Sequence, residues 1–238
     1  MAVDAVSCSF TPGTLTAIVG PNGAGKTTYF NLISGQLPAT SGSVHLDGED
    51  ITALPAPLRT RRGLGRAFQL TQLFAKLSVL ENVRLAVQAR RSQGHGIDLW
   101  RIWLDRREWI DEALALLDRV QLAPQRDALA AELPHGDQRK LEVALLIALD
   151  PKVYLFDEPT AGMSADDAPV VLDLIRGLKA QADRTILLVE HKMDVVRELA
   201  DRIVVLHQGQ LVADGNPADV MALPVVQDAY LGRAKEAA

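Results

Sequence analysis

A mixed α/β fold with a parallel sheet at its centre is predicted for this chain of 238 residues by three observations. Gly20-Pro21-Asn22-Gly23-Ala24-Gly25-Lys26-Thr27 fills every fixed position of the pattern G-x-x-x-x-G-K-[ST], with the apolar run Leu15 to Val19 before it and a helical stretch, Thr27 to Gly35, after it. Two further apolar runs, Val153 to Phe156 and Thr185 to Val189, are followed at once by Asp157-Glu158 and Glu190-His191. Between the Leu15 to Val19 run and the Val153 to Phe156 run, from Leu70 to Leu133, alternation of strands and helices gives way to helices alone.

The elements follow in order. Ala2 to Phe10 reads as a strand and Pro12-Gly13 as a turn leading into the first apolar run. After the first helix, Thr40-Ser41-Gly42 is a turn, Ser43 to Asp47 alternates as a strand, and Asp47-Gly48 is a hairpin signal ahead of Ile51. A small antiparallel patch beside the parallel core is therefore expected. Pro55 and Pro57 introduce a short basic helix whose Arg59, Arg61 and Arg62 are expected on a solvated face. Leu64 to Phe68 reads as a further strand, ending at Gln69.

Val79 to Arg91 and Asp105 to Val120 are amphipathic, joined by a loop containing Gly94, His95 and Gly96. Residues 70–137 thus read as a helical subdomain set into a core formed by residues 1–69 and 138–238. Trp100, Trp103 and Trp109, all the tryptophan of the chain, fall within it. They either fill a small core or present an aromatic surface to a partner helix. The α/β rhythm resumes with a helix from Gly136 to Leu149 and the two later apolar strands. Arg202 to Leu206 and Gln210 to Ala213 form a terminal hairpin about Gln208-Gly209, short helices run to Leu231, and Gly232 to Ala238 is a frayed tail.

Composition narrows the function classes. With 48% hydrophobic residues the chain can bury a full core, and a single α/β unit with a subdomain is the simplest fit to its length. A formal charge of −5 provides no global field for nucleic acid or an anionic membrane surface. Cys8 is the only cysteine, which excludes an internal disulfide and suits a reducing compartment. Apolar runs such as Val143 to Leu149 fall short of the ~20 residues that span a bilayer. A soluble, cytoplasmic chain that reaches a membrane only through a partner is expected.

The chemistry lies at the strand ends. Gly20, Gly23 and Gly25 free the backbone to turn N–H groups of Asn22 to Gly25 toward phosphate oxygens, and the helix start adds partial positive charge. Lys26 can reach the β and γ phosphates and the Thr27 hydroxyl can ligate Mg²⁺, while Thr28 is a helix residue with a minor phosphate contact. Asp157 is suited to hold Mg²⁺ through water, and Glu158 to polarise a water for attack on the γ phosphate. Two acids after a strand can also simply cap a helix. His191, at the carboxyl end of a core strand, is placed to donate to a phosphate oxygen. Together these make the chain a P-loop NTPase in outline.

With Gln69, Leu133 to Gln138, Asp157-Glu158 and His191 falling in this order, the chain resembles the nucleotide-binding subunit of an ABC transporter across essentially its whole length. The resemblance implies a RecA-like parallel core and a head-to-tail pair of such domains sandwiching two ATP molecules. Each ATP is then held by one subunit's phosphate loop and the other's signature segment, here Pro134, His135, Gly136 and Asp137. It also implies that Gln69 senses Mg²⁺ and the attacking water near the coupling helix of transmembrane permease subunits, that Glu158 is the catalytic base, and that His191 contacts the γ phosphate. An extracytoplasmic solute-binding protein would be an indirect partner, and the chain would sit peripherally on the cytoplasmic face of the cell membrane. Arg66-Ala67-Phe68-Gln69, Asp157 to Met163, Glu190-His191-Lys192-Met193 and Ala229-Tyr230-Leu231-Gly232 look most like the subunits of branched-chain amino acid, amide and urea importers.

Two positions depart from the family pattern. Leu133-Pro134-His135-Gly136-Asp137 stands where the family has Leu-Ser-Gly-Gly-Gln, and Pro134 offers neither a hydroxyl nor a backbone N–H, though it suits a first helical turn. The segment either meets the partner's phosphate, with His135 as substitute donor, or is a structural cap. Ser164 stands where the family often has Asp in the D-loop. The family's first strand and its adenine-stacking aromatic would fall before Ala2, so this reading expects weak ATP binding with little preference over GTP. A soluble ABC ATPase acting on nucleic acid or ribosomes would usually carry a coiled-coil insertion, a second ATPase domain or basic arms. A weakly hydrolysing regulatory module is a third class, motivated by Pro134.

Overall fold

The computed structural model describes residues 2–67, 73–92 and 106–231. Gln69, Phe68, Trp100, Trp103, the loop at residues 94–96 and the tail from Gly232 lie outside the described residues. In chain order the strands are β1 (Leu15–Val19), β2 (His45–Leu46), β3 (Glu49–Asp50), β4 (Leu64–Ala67), β5 (Val153–Asp157), β6 (Thr185–Val189), β7 (Arg202–His207) and β8 (Gln210–Gly215). The described helices are α1 (Lys26–Ser34), α2 (Ala56–Arg61), α3 (Val79–Arg91), α4 (Arg106–Arg119), α5 (His135–Leu149), α6 (Ala168–Lys179), α7 (Met193–Leu199), α8 (Pro217–Met221) and α9 (Pro224–Leu231).

Two compact units form. The first comprises Met1–Arg66, Lys152–Glu158 and Lys179–Ala238, the second Ala67–Pro151 and Pro159–Leu178. In the first, one sheet runs in the order β4-β5-β6-β1-β7-β8. β5, β6, β1 and β7 are mutually parallel, and β8 returns antiparallel to β7. Every residue of β1 and β6 is buried, which is why both read as continuous apolar runs rather than alternating ones. Ile18, Leu187, Val189 and Val204 face one cluster with Phe30 of α1, while Ala17, Val19, Ile203 and Val205 face another with Val196 of α7. Parallel strands present all their carboxyl ends on one edge, where an open α/β sheet carries its chemistry.

The antiparallel patch is the expected hairpin, with Asp47 (φ 50°) and Gly48 (φ 80°) as its two central residues. Two expectations are corrected. Ala2 to Phe10 is not a strand: Val3, Val6, Cys8 and Phe10 pack on the core, but the segment is tied down by single hydrogen bonds such as Asp4 N–H to the Gly209 carbonyl. Arg59 is not on a solvated face. It is 2% exposed, and its guanidinium donates to the carbonyls of Leu32, Ile33, Thr52 and Leu54, capping the last turn of α1. A guanidinium can satisfy several carbonyls in one plane, so burial of this charge is compensated. Arg61 and Arg62 remain exposed.

The second unit is helical. Ser78 caps α3 by accepting the Glu81 N–H at 3.1 Å, and α3 packs on α4 and α5. Trp109 is 4% exposed, so for this tryptophan the packing alternative holds. Helices α6 and α7 had no counterpart in the sequence reading; α6 follows a turn initiated by Ser164, whose hydroxyl accepts the Asp167 N–H.

Candidate nucleotide site

The loop from Gly20 to Gly25 leaves β1 and enters α1 with Gly25 at the N-cap (φ 100°) and no side-chain cap on the helix. The first N–H groups of α1 therefore lack an intrahelical acceptor and a local substitute. A Cβ at Gly20 would fall 2.1 Å from the Leu206 carbonyl, and one at Gly25 2.4 Å from that of Ala2, so backbone crowding as well as turn geometry demands glycine at both. Lys26, 6% exposed, donates to the Gly20 carbonyl at 2.7 Å and the Pro21 carbonyl at 3.1 Å. Its ammonium is folded back into the loop that a phosphate would fill. Burial pulls its pKa below the ordinary lysine value, against the opposing pull of the Glu158 and Asp157 carboxylates. Asn22, Gly23 and Thr27 are exposed, Thr28 and Gly25 half-buried, and Ala24 buried.

Two strands away, β5 delivers the acids. Asp157 is 2% exposed; its Oδ2 accepts from Arg66 Nη2 at 2.8 Å, and its Oδ1 is buried without a hydrogen-bond partner. A buried carboxylate oxygen without a donor is what a metal-bound water would satisfy. Mg²⁺ takes few protein oxygens and keeps water and phosphate for the rest, so the set of Asp157 and the Thr27 hydroxyl at the helix start fits it. When bound it would neutralise charge on the β and γ phosphates. Glu158 has a left-handed backbone (φ 51°), and its N–H donates to the Val189 carbonyl at 2.9 Å. Beyond β6, the buried Glu190 carboxylate accepts the N–H groups of His191 at 3.0 Å and Lys192 at 3.3 Å. That turn presents His191, whose Nε2 lies 2.6 Å from Glu158 Oε1.

The second unit carries the altered signature by itself. Pro134 is the N-cap of α5 and provides no side-chain cap; it and His135 are exposed, while Gly136 and Asp137 are half-buried. Lys140, one turn on and 5% exposed, bonds Asp137 at 3.0 Å and also pairs with Asp167. Asp167 in turn accepts from Ser164 Oγ at 2.6 Å. A Cβ at Gly136 would stand 3.1 Å from Asp167 Oδ2, and the His135 ring lies close to Gly162. The two segments that depart from the family pattern are thus joined through one ammonium. Its hydrogen bonds hold the Asp167 carboxyl below the usual carboxylate range, Ser164 assisting.

Of the residues singled out by sequence, the first unit brings Asn22 to Thr28, Asp157, Glu158 and His191 to the carboxyl ends of the adjacent strands β5, β6 and β1, and the second carries Pro134 to Asp137; Gln69 lies outside the described residues. The contacts of Arg66, Lys140 and Asp167 were missed. Each depends on a partner distant in sequence or across a turn, and only the neighbouring of β4 and β5 reveals the first.

The sequence profile of the family described as "ABC transporter" matches residues 3–161. The high-affinity branched-chain amino acid transport ATP-binding protein LivG of Escherichia coli (strain K12) is 35% identical over 237 residues, covering 98% of this chain and 93% of LivG. Among solved structures, the ADP conformation of MJ1267, an ATP-binding cassette of an ABC transporter, superposes with a TM-score of 0.78 at 30% identity, over 97% of this chain and 92% of that one. A dimeric post-hydrolysis state of the cassette MJ0796 bound to ADP and Pi gives 0.79 at 25% identity, over 91% and 90% of the two chains.

Proposed function

The chain belongs to the ABC transporter family of ATPases, and from that premise we propose that it is the motor subunit of an importer for branched-chain amino acids or related small polar solutes. The observation that carries the motor role is the convergence of a phosphate loop, an acid pair and a histidine at the ends of three adjacent strands. In this reading the loop N–H groups and Lys26 bind the phosphates, Thr27 and Asp157 hold Mg²⁺, Glu158 takes the proton of the attacking water and His191 donates to the γ phosphate. Gln69 completes the metal and water contacts. Gly20 to Thr28 and Leu133 to Asp137 serve different ATP molecules in a head-to-tail pair of subunits, and the dimeric cassette above supports pairing as such.

The solute class rests on the likeness to LivG. The partners are then two permease subunits, a second ATP-binding subunit and a solute-binding protein, with this chain peripheral on the cytoplasmic face. Among the described residues no helix is long and apolar enough to cross a membrane.

The test uses the chain reconstituted with its permease subunits in liposomes. ATP-driven uptake of leucine, valine or a short amide is the expected result; vigorous hydrolysis without uptake of any of them overturns the solute class. Mixing a Lys26→Ala subunit with a Gly136→Asp subunit tests the shared site, since both lesions can fall in one composite site and leave the other whole. The mixture is expected to regain activity that each parent lacks. If the mixture stays as inactive as its parents, the head-to-tail assignment fails.

A further inference from the structure

Arg66, the third residue of β4, bridges β5 and α1. Its side chain is 5% exposed and reaches both the end of β5 and the last turns of α1. Nη2 donates to Asp157 Oδ2 at the end of β5, at 2.8 Å. Nη1 donates to Asn31 Oδ1 at 2.7 Å and Ser34 Oγ at 3.1 Å on α1, and to Gln36 Oε1 at 3.1 Å just past it. The Phe30 ring lies under the guanidinium, 5.6 Å from its centroid.

Asn31 stands four residues after Thr27, and residues at that spacing share a face of a helix. The guanidinium is thus anchored one turn along the same stripe of α1 that carries the Thr27 hydroxyl, and at its other end grips the Asp157 carboxylate. Those are the two oxygens assigned to Mg²⁺. Because Arg66 engages Oδ2 only, Oδ1 is left as the free, buried acceptor. An arginine fork is planar and always charged, so it fixes both the carboxylate plane and the separation of the two elements; a lysine could serve one side or the other.

We propose that Arg66 is a positioning residue for the metal: it splits the Asp157 carboxylate between a structural oxygen and a metal-facing oxygen, and locks α1 to β5 so that Thr27 and Asp157 stay in register. This rests on the reading of Asp157 as the Mg²⁺ residue. It makes Arg66 matter for Mg²⁺ and not for the phosphates, which Lys26 and the loop N–H groups bind by themselves.

The experiment compares ADP binding by calorimetry, in EDTA and in Mg²⁺, for the wild-type chain, Arg66→Gln and Arg66→Lys. Mn²⁺ titrated into the ADP complex is followed in parallel by electron paramagnetic resonance. Metal-free ADP affinity is expected to stay within about twofold of wild type, while Mn²⁺ affinity falls by about 10–100-fold in Arg66→Gln, the usual range for losing a residue that orients a metal ligand. Arg66→Lys recovers part of that loss. In an Asp157→Asn background, Arg66→Gln is expected to add nothing further. Equal weakening with and without metal would reduce Arg66 to a packing role, and unchanged Mn²⁺ affinity would overturn the proposal. If Arg66→Gln does not fold, Asn31→Ala, which loosens only the α1 anchor, carries the same comparison. Absence of metal-free ADP binding in the wild-type chain would instead defeat the phosphate-loop assignment.

Discussion

His191 Nε2 and Glu158 Oε1 are 2.6 Å apart, so the imidazole and the acid assigned to the attacking water are hydrogen-bonded to each other. The turn held by Glu190 presents the ring to the carboxylate at the ends of neighbouring strands. Glu158→Gln keeps the shape and a hydrogen-bonding side chain but cannot accept a proton. Turnover is expected to fall by about 10²–10⁴-fold, the range for a general base, with ATP binding near wild type. His191→Ala is expected to reduce turnover without abolishing binding. Single-turnover hydrolysis alongside equilibrium binding checks both; near-normal turnover in Glu158→Gln would remove that residue from the chemistry.

Lys26 supplies a prediction about pH. Burial lowers its pKa, whereas phosphate charge placed beside it would favour the protonated form and raise the pKa on binding. Between the lowered free value and the raised bound value, binding takes up a proton, and affinity falls as pH rises through that window. Calorimetric ATP titrations toward pH 10, in two buffers of different ionisation enthalpy, should show proton uptake that Lys26→Ala lacks. The same substitution is expected to weaken binding by roughly 10–100-fold, from the loss of a charge-assisted hydrogen bond.

The pairing of Lys140 with Asp167 makes part of the second unit's stability pH-dependent. Hydrogen bonding to Lys140 lowers the Asp167 pKa, so its contribution is present above the unfolded carboxylate value and is lost as pH falls through the lower folded value. For Lys140, desolvation is outweighed by its two aspartates and the pKa is raised, so its contribution is present below the ordinary lysine value and lost as pH rises past it. The difference in melting temperature between wild type and Asp167→Asn is therefore expected at neutral pH and should shrink as pH falls below the usual carboxylate range. A difference independent of pH would mean that packing, not charge, holds these segments together.

Legibility in the sequence tracked the range of the interactions involved. β5 and β6 were read nearly to the residue because strands covered on both faces are uninterrupted apolar runs, and the phosphate loop because its positive-φ glycines answer to local turn geometry. Val79–Arg91 shows in its amphipathic pattern, and the structure adds the Ser78 cap that starts it. Ala2 to Phe10 alternates like a strand, but a strand also needs a ladder partner, and a pattern of side chains cannot supply one. Arg59 was misplaced because its compensation comes from carbonyls of α1 more than twenty residues earlier. Arg66 and Asp157 are 91 residues apart, so their contact exists only once β4 lies beside β5.

The left-handed backbone at Glu158 sets the needs of folding against those of hydrolysis at a single codon. A φ of 51° disfavours glutamate by about 1 kcal/mol or more and suits glycine or asparagine. Glu158→Gly or Glu158→Asn should therefore melt a few degrees higher than wild type, on the order of 2–4 °C for a chain of this size, while losing turnover. A library sorted only by heat resistance would drift toward the inactive substitution at this position. Stabilising the chain without disarming it means excluding residue 158 from the search and recovering the margin elsewhere.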